Sequence, residues 1–255
     1  MTTPTIEQIM QHGSVRSYKP DPVAPETVET IVAAAQRSAT SSNLQMYSVV
    51  AVTDAEKRAR LKELCNNQAH IAQAPVFLAW CADLSRLDRV CRRRGYTQVT
   101  EHVESFLVAA VDASIAMQTA TVAAESLGLG ACYIGAIRNH PRQVIELLRL
   151  PKLTFPVCGM TLGWPAAAPR LRPRLATEAI LHWERYDAGD EERYLLDYDR
   201  AMIETGIYDG RQVAVPGQEG EVEDYGWMEH SARRVSQAVR TDLRDILAEQ
   251  GFDLK

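Results

Sequence analysis

Glu125-Ser-Leu-Gly-Leu-Gly-Ala-Cys-Tyr-Ile-Gly-Ala-Ile-Arg-Asn139 reads as a helix end, a glycine turn and a short buried strand. Gly128 and Gly130 stand where a helix C-terminus needs a left-handed residue and then a close return of the backbone. Ahead of them a long, mostly apolar helix is expected over residues 103–127. Behind them, Tyr133-Ile134-Gly135-Ala136 sets two small residues in a row at a strand end. Small residues let a flat ligand lie against the backbone, within reach of N–H donors. Taken alone, the stretch is better read as helix, turn and core strand, with glycine for packing.

Working outward, Thr3-Pro4 opens a first short helix, cap and proline in the favoured order, which ends at His12-Gly13. Residues 14–22 read as a charged loop. Pro25 starts a second helix with Val28, Ile31, Val32 and Ala35 inward, and a hydroxyl-rich loop follows over residues 39–45. Continuous apolar, β-branched runs predict strands at residues 47–53, 76–82 and 155–164. Between them, Asp54 caps a helix to about Cys65, Asn66-Asn67-Gln68 makes a turn, and a helix from Leu84 ends in Arg92-Arg93-Arg94-Gly95. Those arginines complement the helix dipole and face water. His140-Pro141 opens a helix that Pro151 stops. The character changes after Tyr186: a helix over 191–204, a mobile glycine- and acid-rich loop over 206–226, and one amphipathic helix over 231–250. The pattern predicts an α+β, three-layer domain with a core over residues 1–185 and a helical C-terminal excursion over 186–255.

The chain has 255 residues, enough for a sizeable core. A net charge of −5 argues against a nucleic-acid or anionic-membrane partner. Five cysteines show neither a CxxC pair nor metal spacing, which suggests buried thiols in a reducing, cytoplasmic compartment. No signal peptide is visible. The apolar run over 106–124 is interrupted by Asp112, Ser114 and Gln118, so a helix buried in the core or between two subunits is expected rather than a membrane span. Nucleophile-elbow, zinc-protease and phosphate-loop motifs are missing, and the six histidines do not cluster, so neither a catalytic side chain nor a metal is expected.

Two short runs carry phosphate-binding chemistry. His12-Gly13-Ser14-Val15-Arg16 offers an imidazole, a hydroxyl and a guanidinium. Arg172-Pro173-Arg174 holds two guanidinium groups two residues apart, which point the same way in an extended segment. In isolation each fits a solvated loop better. Thr40, Ser41 and Gln45 are ordinary loop residues, Gln68 an ordinary turn residue, and Arg211 an ordinary exposed cation.

The four motifs taken in order, His12 to Arg16, Gln68, Glu125 to Asn139 and Arg172 to Arg174, resemble the oxygen-insensitive NAD(P)H nitroreductase and flavin reductase family, of the larger FMN-dependent type. The resemblance covers most of residues 1–185 and continues more weakly to the end. It implies a nitroreductase-like fold with a mixed sheet flanked by helices, in an intertwined homodimer with FMN at the interface. It implies that His12, Ser14 and Arg16, with Arg172 and Arg174, hold the FMN phosphate and ribityl region. Thr40, Ser41 and Gln68 would surround the isoalloxazine, and the Tyr133, Ile134, Gly135 and Ala136 backbone would face its reactive part. Arg211 would contact the 2′-phosphate of NADPH. Departures stand at Gly13, where arginine is common, at Arg172, usually lysine, and at Ala136, usually glycine.

The expected function is FMN-dependent transfer of a hydride from NADPH or NADH, by ping-pong two-electron reduction, to a nitroaromatic, quinone or free flavin. Three alternatives stand beside it: a flavin reductase supplying reduced FMN to a partner enzyme, a non-enzymatic flavin-binding protein, and a helical interaction protein with no cofactor.

Overall fold

Val76-Phe-Leu-Ala-Trp-Cys-Ala-Asp83 is buried along its whole length, because both faces of the strand it forms are covered. The computed structural model describes residues 2–255 except 216, 218, 219 and 221. Pro216, Glu219 and Glu221, part of the expected mobile loop, lie outside the described residues. The strands are β1 (Tyr47–Val52), β2 (Val76–Asp83), β3 (Gly130–Ile134) and β4 (Thr154–Gly163), in the order β1-β2-β4-β3. Every pairing is antiparallel, which corrects the expected mixed sheet. The strand order is the reason. β2 and β3 run the same way, but β4 inserts between them and opposes both. The β2–β4 register shifts between Trp80 and Cys81, opposite Cys158 and Pro156. A bulge there accommodates a proline with no N–H to give to the ladder.

One sheet face carries Leu78, Trp80, Ala131, Met160 and Leu162 and is covered by α2 (Pro25–Ala35) and α6 (Val103–Ser126). The other carries Phe77, Ala79, Cys132 and Ile134 and is covered by α3 (Ala55–Leu64), α4 (Ala69–Gln73) and α7 (Pro141–Leu148). A third cluster joins Phe155 and Leu84 to Ile246, Leu247 and Phe252. The Phe106 ring meets Phe155 and Phe252 edge-on at 6.0 and 5.4 Å. Buried thiols sit within these layers, and burial pushes Cys65 and Cys81 up to about 12.

By Cα proximity the chain forms two compact units, residues 1–170 with 240–255, and residues 171–239. The last sixteen residues thus return to the first unit. The remaining helices are α1 (Pro4–Met10), α5 (Ser85–Arg94), α8 (Glu191–Glu204), α9 (Trp227–Val235) and α10 (Leu243–Gln250). The expected single helix over 231–250 is therefore two helices. The first ends at Val235; between the two, Arg240 adopts a left-handed φ of 54°, which no continuous helix contains, and its guanidinium Nε donates to Asn139 Oδ1 at 2.9 Å. Val235 and Val239 are exposed, whereas Ile246 and Leu247 are buried, so the predicted apolar stripe does not share one face.

The alanines of α6 (109, 113, 116, 120 and 124) are buried and let the helix lie close to α2 and the sheet. On its other side Val103, Leu107, Val111 and Ile115 recur every fourth residue at 41–53% exposure. By length and composition alone α6 could cross a membrane, with 39% of its most apolar window buried.

Asp83 closes β2 with a buried polar knot. Its carboxylate accepts from Ser48 Oγ at 2.5 Å, Ser85 N at 2.8 Å, Ser85 Oγ at 2.6 Å and Thr154 Oγ1 at 3.2 Å. Burial raises its pKa, but the Ser48 and Ser85 bonds and the Arg86 guanidinium more than offset this, so the net displacement is downward. A depressed folded-state pKa gives stability that is present above the unfolded value and lost as pH falls through the folded one. Asp83→Asn should cost about 1–3 kcal/mol at pH 7. In urea titrations its deficit should begin to shrink below about pH 4, where the unfolded chain's carboxylate protonates, and vanish once pH falls through the lower folded-state value. A deficit independent of pH would assign the loss to packing.

Candidate functional site

Burial alternates along the His12–Arg16 run: Gly13 and Val15 face inward, Ser14 and Arg16 outward. The run is pinned beside the sheet. Val15 N donates to Ala131 O at 2.9 Å, Lys19 N to Trp164 O at 2.8 Å, and Ala166 N to Ser17 O at 2.9 Å. Gly130 makes this approach possible, since a Cβ there would stand 2.4 Å from Val15 Cγ2. At Gly13 a Cβ would stand 2.7 Å from Pro169 Cβ and 3.1 Å from the Arg170 carbonyl oxygen. At the position that the resemblance often fills with arginine, a side chain would therefore have to displace the Pro169–Arg170 segment. His12 Nδ1–H donates to Glu125 Oε1 in the last turn of α6 at 2.6 Å. Arg16 is left as the outward cation of the run.

Arg16 acts electrostatically on α4, which begins directly after Gln68. His70 there is 7% exposed, and its Nε2 has no hydrogen-bond partner among the described residues. Burial, then the Arg16 charge, hold its pKa below the ordinary imidazole value. Gln68 itself is half-buried, and its Nε2 donates to Cys65 O at 2.9 Å. Arg16 and the Gln68–His70 stretch are therefore brought together from distant parts of the sequence.

Tyr133 is the exposed residue of β3, and burial of its hydroxyl raises its pKa. That hydroxyl donates to Gln118 Oε1 at 2.6 Å and lies 2.8 Å from Thr121 Oγ1, fixing the ring against α6. After Ile134 the chain turns into a single 3₁₀ turn over Gly135–Arg138. The first N–H groups of such a turn have no partner within it. A Cβ on Gly135 would meet nothing closer than the tip of Arg138 at 3.5 Å. The packing explanation for glycine holds at Gly130 and fails at Gly135, where a side chain would meet no close neighbour.

Thr40 and Ser41 sit in a loop with unusual backbone. Ser42, Asn43 and Gln45 take φ of 48°, 57° and 52°. For residues with a Cβ this costs roughly 1–2 kcal/mol each, less for asparagine. The loop is anchored to α6 at three points. Ser41 N donates to Asp112 Oδ1 at 3.0 Å, Met46 N to Asp112 Oδ2 at 3.1 Å, and Ser38 Oγ to Thr119 Oγ1 at 2.6 Å.

Arg172, Arg174 and Arg211 belong to the second unit. All three are exposed. Arg174 Nη1 folds back on its own tripeptide, donating to Arg172 O at 3.2 Å and Pro173 O at 3.1 Å. Arg172 acts electrostatically on Tyr208. Arg211 N donates to Tyr208 O at 2.9 Å. The described part of the loop expected to be mobile is tied to its own unit. Val213 N donates to the Tyr225 hydroxyl at 2.9 Å, and buried Arg233 donates to Val213 O at 2.9 Å. Gln212 exchanges two 2.9 Å bonds with the Val222 backbone.

A cavity of about 660 Å³ lined by Asn43, Leu44, Gln45, Tyr47 and Arg86 touches none of the cofactor residues expected from the sequence, and Arg86 spends its guanidinium on Gln45 O, Tyr47 O and Ser48 Oγ. A smaller one, about 220 Å³, lies between Gly13, Val15, Glu125, Gly130 and Pro169, alongside the His12–Arg16 run. Among the described residues no three His, Cys, Asp or Glu side chains gather as a metal site.

Residues 9–164 match the nitroreductase family model, and residues 172–255 match the model of that family's C-terminal domain. The chain belongs to the nitroreductase family. The FMN reductase (NAD(P)H) of Bacillus subtilis is 39% identical over 253 residues, 98% of each chain. The oxygen-insensitive NADPH nitroreductase of Salmonella typhimurium is 36% identical over 250 residues, 98% of each. The solved structure of B. megaterium NfrA2 superposes over the full length of both chains with a TM-score of 0.91 at 37% identity. The family resemblance and the nitroreductase-like fold are thereby confirmed, and the protein is an enzyme of oxidation and reduction. In this nitroreductase-family enzyme, three contributors to the site region escaped the sequence reading. Glu125 was quoted there only as a helix residue and Asp112 only as a break in apolarity. His70, in a short helical piece, gave no signal, because its burial comes from chain segments far away in sequence.

Proposed function

We propose that this enzyme is an FMN-dependent NAD(P)H oxidoreductase that reduces small acceptors such as nitroaromatics, quinones or free flavin. The observation that carries the reading is Gly135, which opens the 3₁₀ turn after β3 although no packing neighbour demands a glycine there. Bound flavin supplies the redox chemistry, taking two electrons from NADPH or NADH and handing them to the acceptor. The chain's residues do the holding. The Ser14 hydroxyl and Arg16 guanidinium, both outward on the same run, suit a phosphate group. Arg172 and Arg174, in the second unit, carry phosphate-binding chemistry of the same kind. Gln68, Thr40 and Ser41 supply donors and acceptors for the ring's polar edge. The N–H groups at Gly135 and Ala136, beside Tyr133 and Ile134, stabilise negative charge on the reduced ring without a titrating side chain. Arg211 favours a nicotinamide cofactor with a 2′-phosphate. The relative named FMN reductase supports free flavin as one acceptor. The Val103–Leu107–Val111–Ile115 stripe suits a second copy of the chain, so the working form is a cytoplasmic homodimer.

The test is the visible spectrum of purified protein incubated with FMN, before and after anaerobic NADPH, with sedimentation equilibrium on the same sample. A flavin band that bleaches, on a dimer, is expected. A bound flavin that stays oxidised would make the protein a carrier, and no binding at all would sink the reading.

A further inference from the structure

We propose that Asp112 is a positioning residue that sets the Thr40–Ser41 loop against the flavin ring; this rests on the function proposed above. Asp112 is 1% exposed in the middle of an otherwise apolar helix, and no ion pair to it exists among the described residues. A buried carboxylate without a cation persists only when hydrogen bonds compensate it. Here both compensating donors are backbone amides of one loop, Ser41 N on Oδ1 and Met46 N on Oδ2. The carboxylate therefore does not neutralise a charge. It closes a six-residue segment into a ring and holds three of its residues at positive φ, a shape those residues would not keep unaided. Asp112 and Thr119, which anchors Ser38, are seven residues apart and share a helix face, so α6 grips the loop along two turns. Thr40 and Ser41 inherit their orientation from that grip.

Asp112→Asn tests this, because the amide is isosteric but presents one acceptor to two donors. Hydrogen exchange of the Ser41 and Met46 amides should accelerate by about tenfold or more. Affinity for FMN and for riboflavin should fall together, since the loop addresses the ring and not the phosphate. Leu61→Ala in α3, a comparable loss of thermal stability away from the loop, should leave flavin affinity unchanged. Thr119→Ala, at the half-buried end of the same face, should give a smaller shift in the same direction and remains readable if Asp112→Asn fails to fold. Unchanged exchange at both amides in a folded Asp112→Asn protein would overturn the clamp. Faster exchange with unchanged flavin affinity would overturn the positioning role and leave the proposed function standing. Wild-type protein that binds neither flavin would remove both.

Discussion

Phe77→Ala is expected to lower the stability of the protein by about 3–5 kcal/mol and its melting temperature by roughly 6–20 °C, with no new ligand dependence. The ring is fully buried on the central strand, in the cluster that joins β2 to α3, α4 and α7. What holds it in place is a missing atom opposite. A Cβ built on Gly159 would lie 2.3 Å from Phe77 Cζ and 3.2 Å from Ile134 Cβ, so the ring occupies the volume that any other residue at 159 would need. Gly159→Ala alone should therefore destabilise by about 1–3 kcal/mol through overpacking. In the Phe77→Ala background the added methyl falls into the vacated space, and the double variant should be more stable than the sum of the two changes predicts. Thermal melts of the four proteins in the cycle would decide it. Simple additivity would show that Gly159 is tolerated for its backbone and not for the ring.

Arg16→Ala is expected to weaken FMN binding by about 10- to 150-fold, the loss of one charge-assisted contact of roughly 1.5–3 kcal/mol. Riboflavin binding should change little, because the guanidinium is assigned to the phosphate. The size of the effect follows from how few cations the run retains. Gly13 brings no cation, and the His12 Nδ1–H is committed to Glu125. Ser14→Ala should move the same ratio in the same direction by less. Fluorescence titration of both flavins reads the outcome. An equal loss for FMN and riboflavin would place Arg16 at the ring, and no loss for either would remove it from the site.

The elements were legible where local chemistry governs them. The Thr3 and Asp54 side chains each accept from the amide three residues on, Ile6 N and Lys57 N, as their types predict. Gly128 adopts a φ of 80° at the end of α6, and Gly130 permits the close return expected of it. Legibility ended where distant segments meet. The sheet's direction depends on β4 inserting between β2 and β3, which no window of sequence contains. In the break before α10, Arg240 donates to Asn139, 101 residues earlier, a partner no local window contains. In the site region, Arg16, Gln68 and Gly135 could be named from an ordered set of motifs. The roles of Asp112, Glu125 and His70 could not, because the partners of the first two and the burial of the third come from segments distant in sequence.

The return of residues 240–255 to the first unit has a consequence for the order of events during synthesis. Phe252 is fully buried and packs edge-on against Phe106, and the Lys255 amide donates to Glu101 O at 2.7 Å. When Arg170 leaves the ribosome, that end of the sheet, with Phe106 and Phe155, still lacks its cover. At about 5–20 residues per second, the remaining 85 residues take roughly 4–17 s to emerge. For that interval the nascent chain displays an uncovered aromatic patch, the kind of surface a chaperone recognises. Closure then joins segments separated by the whole second unit, an entropic cost that grows only slowly with the length between them. The second unit can lengthen or shorten at little penalty to the first, whereas a lost aromatic in α10's trailing segment would stall the first unit with its core open.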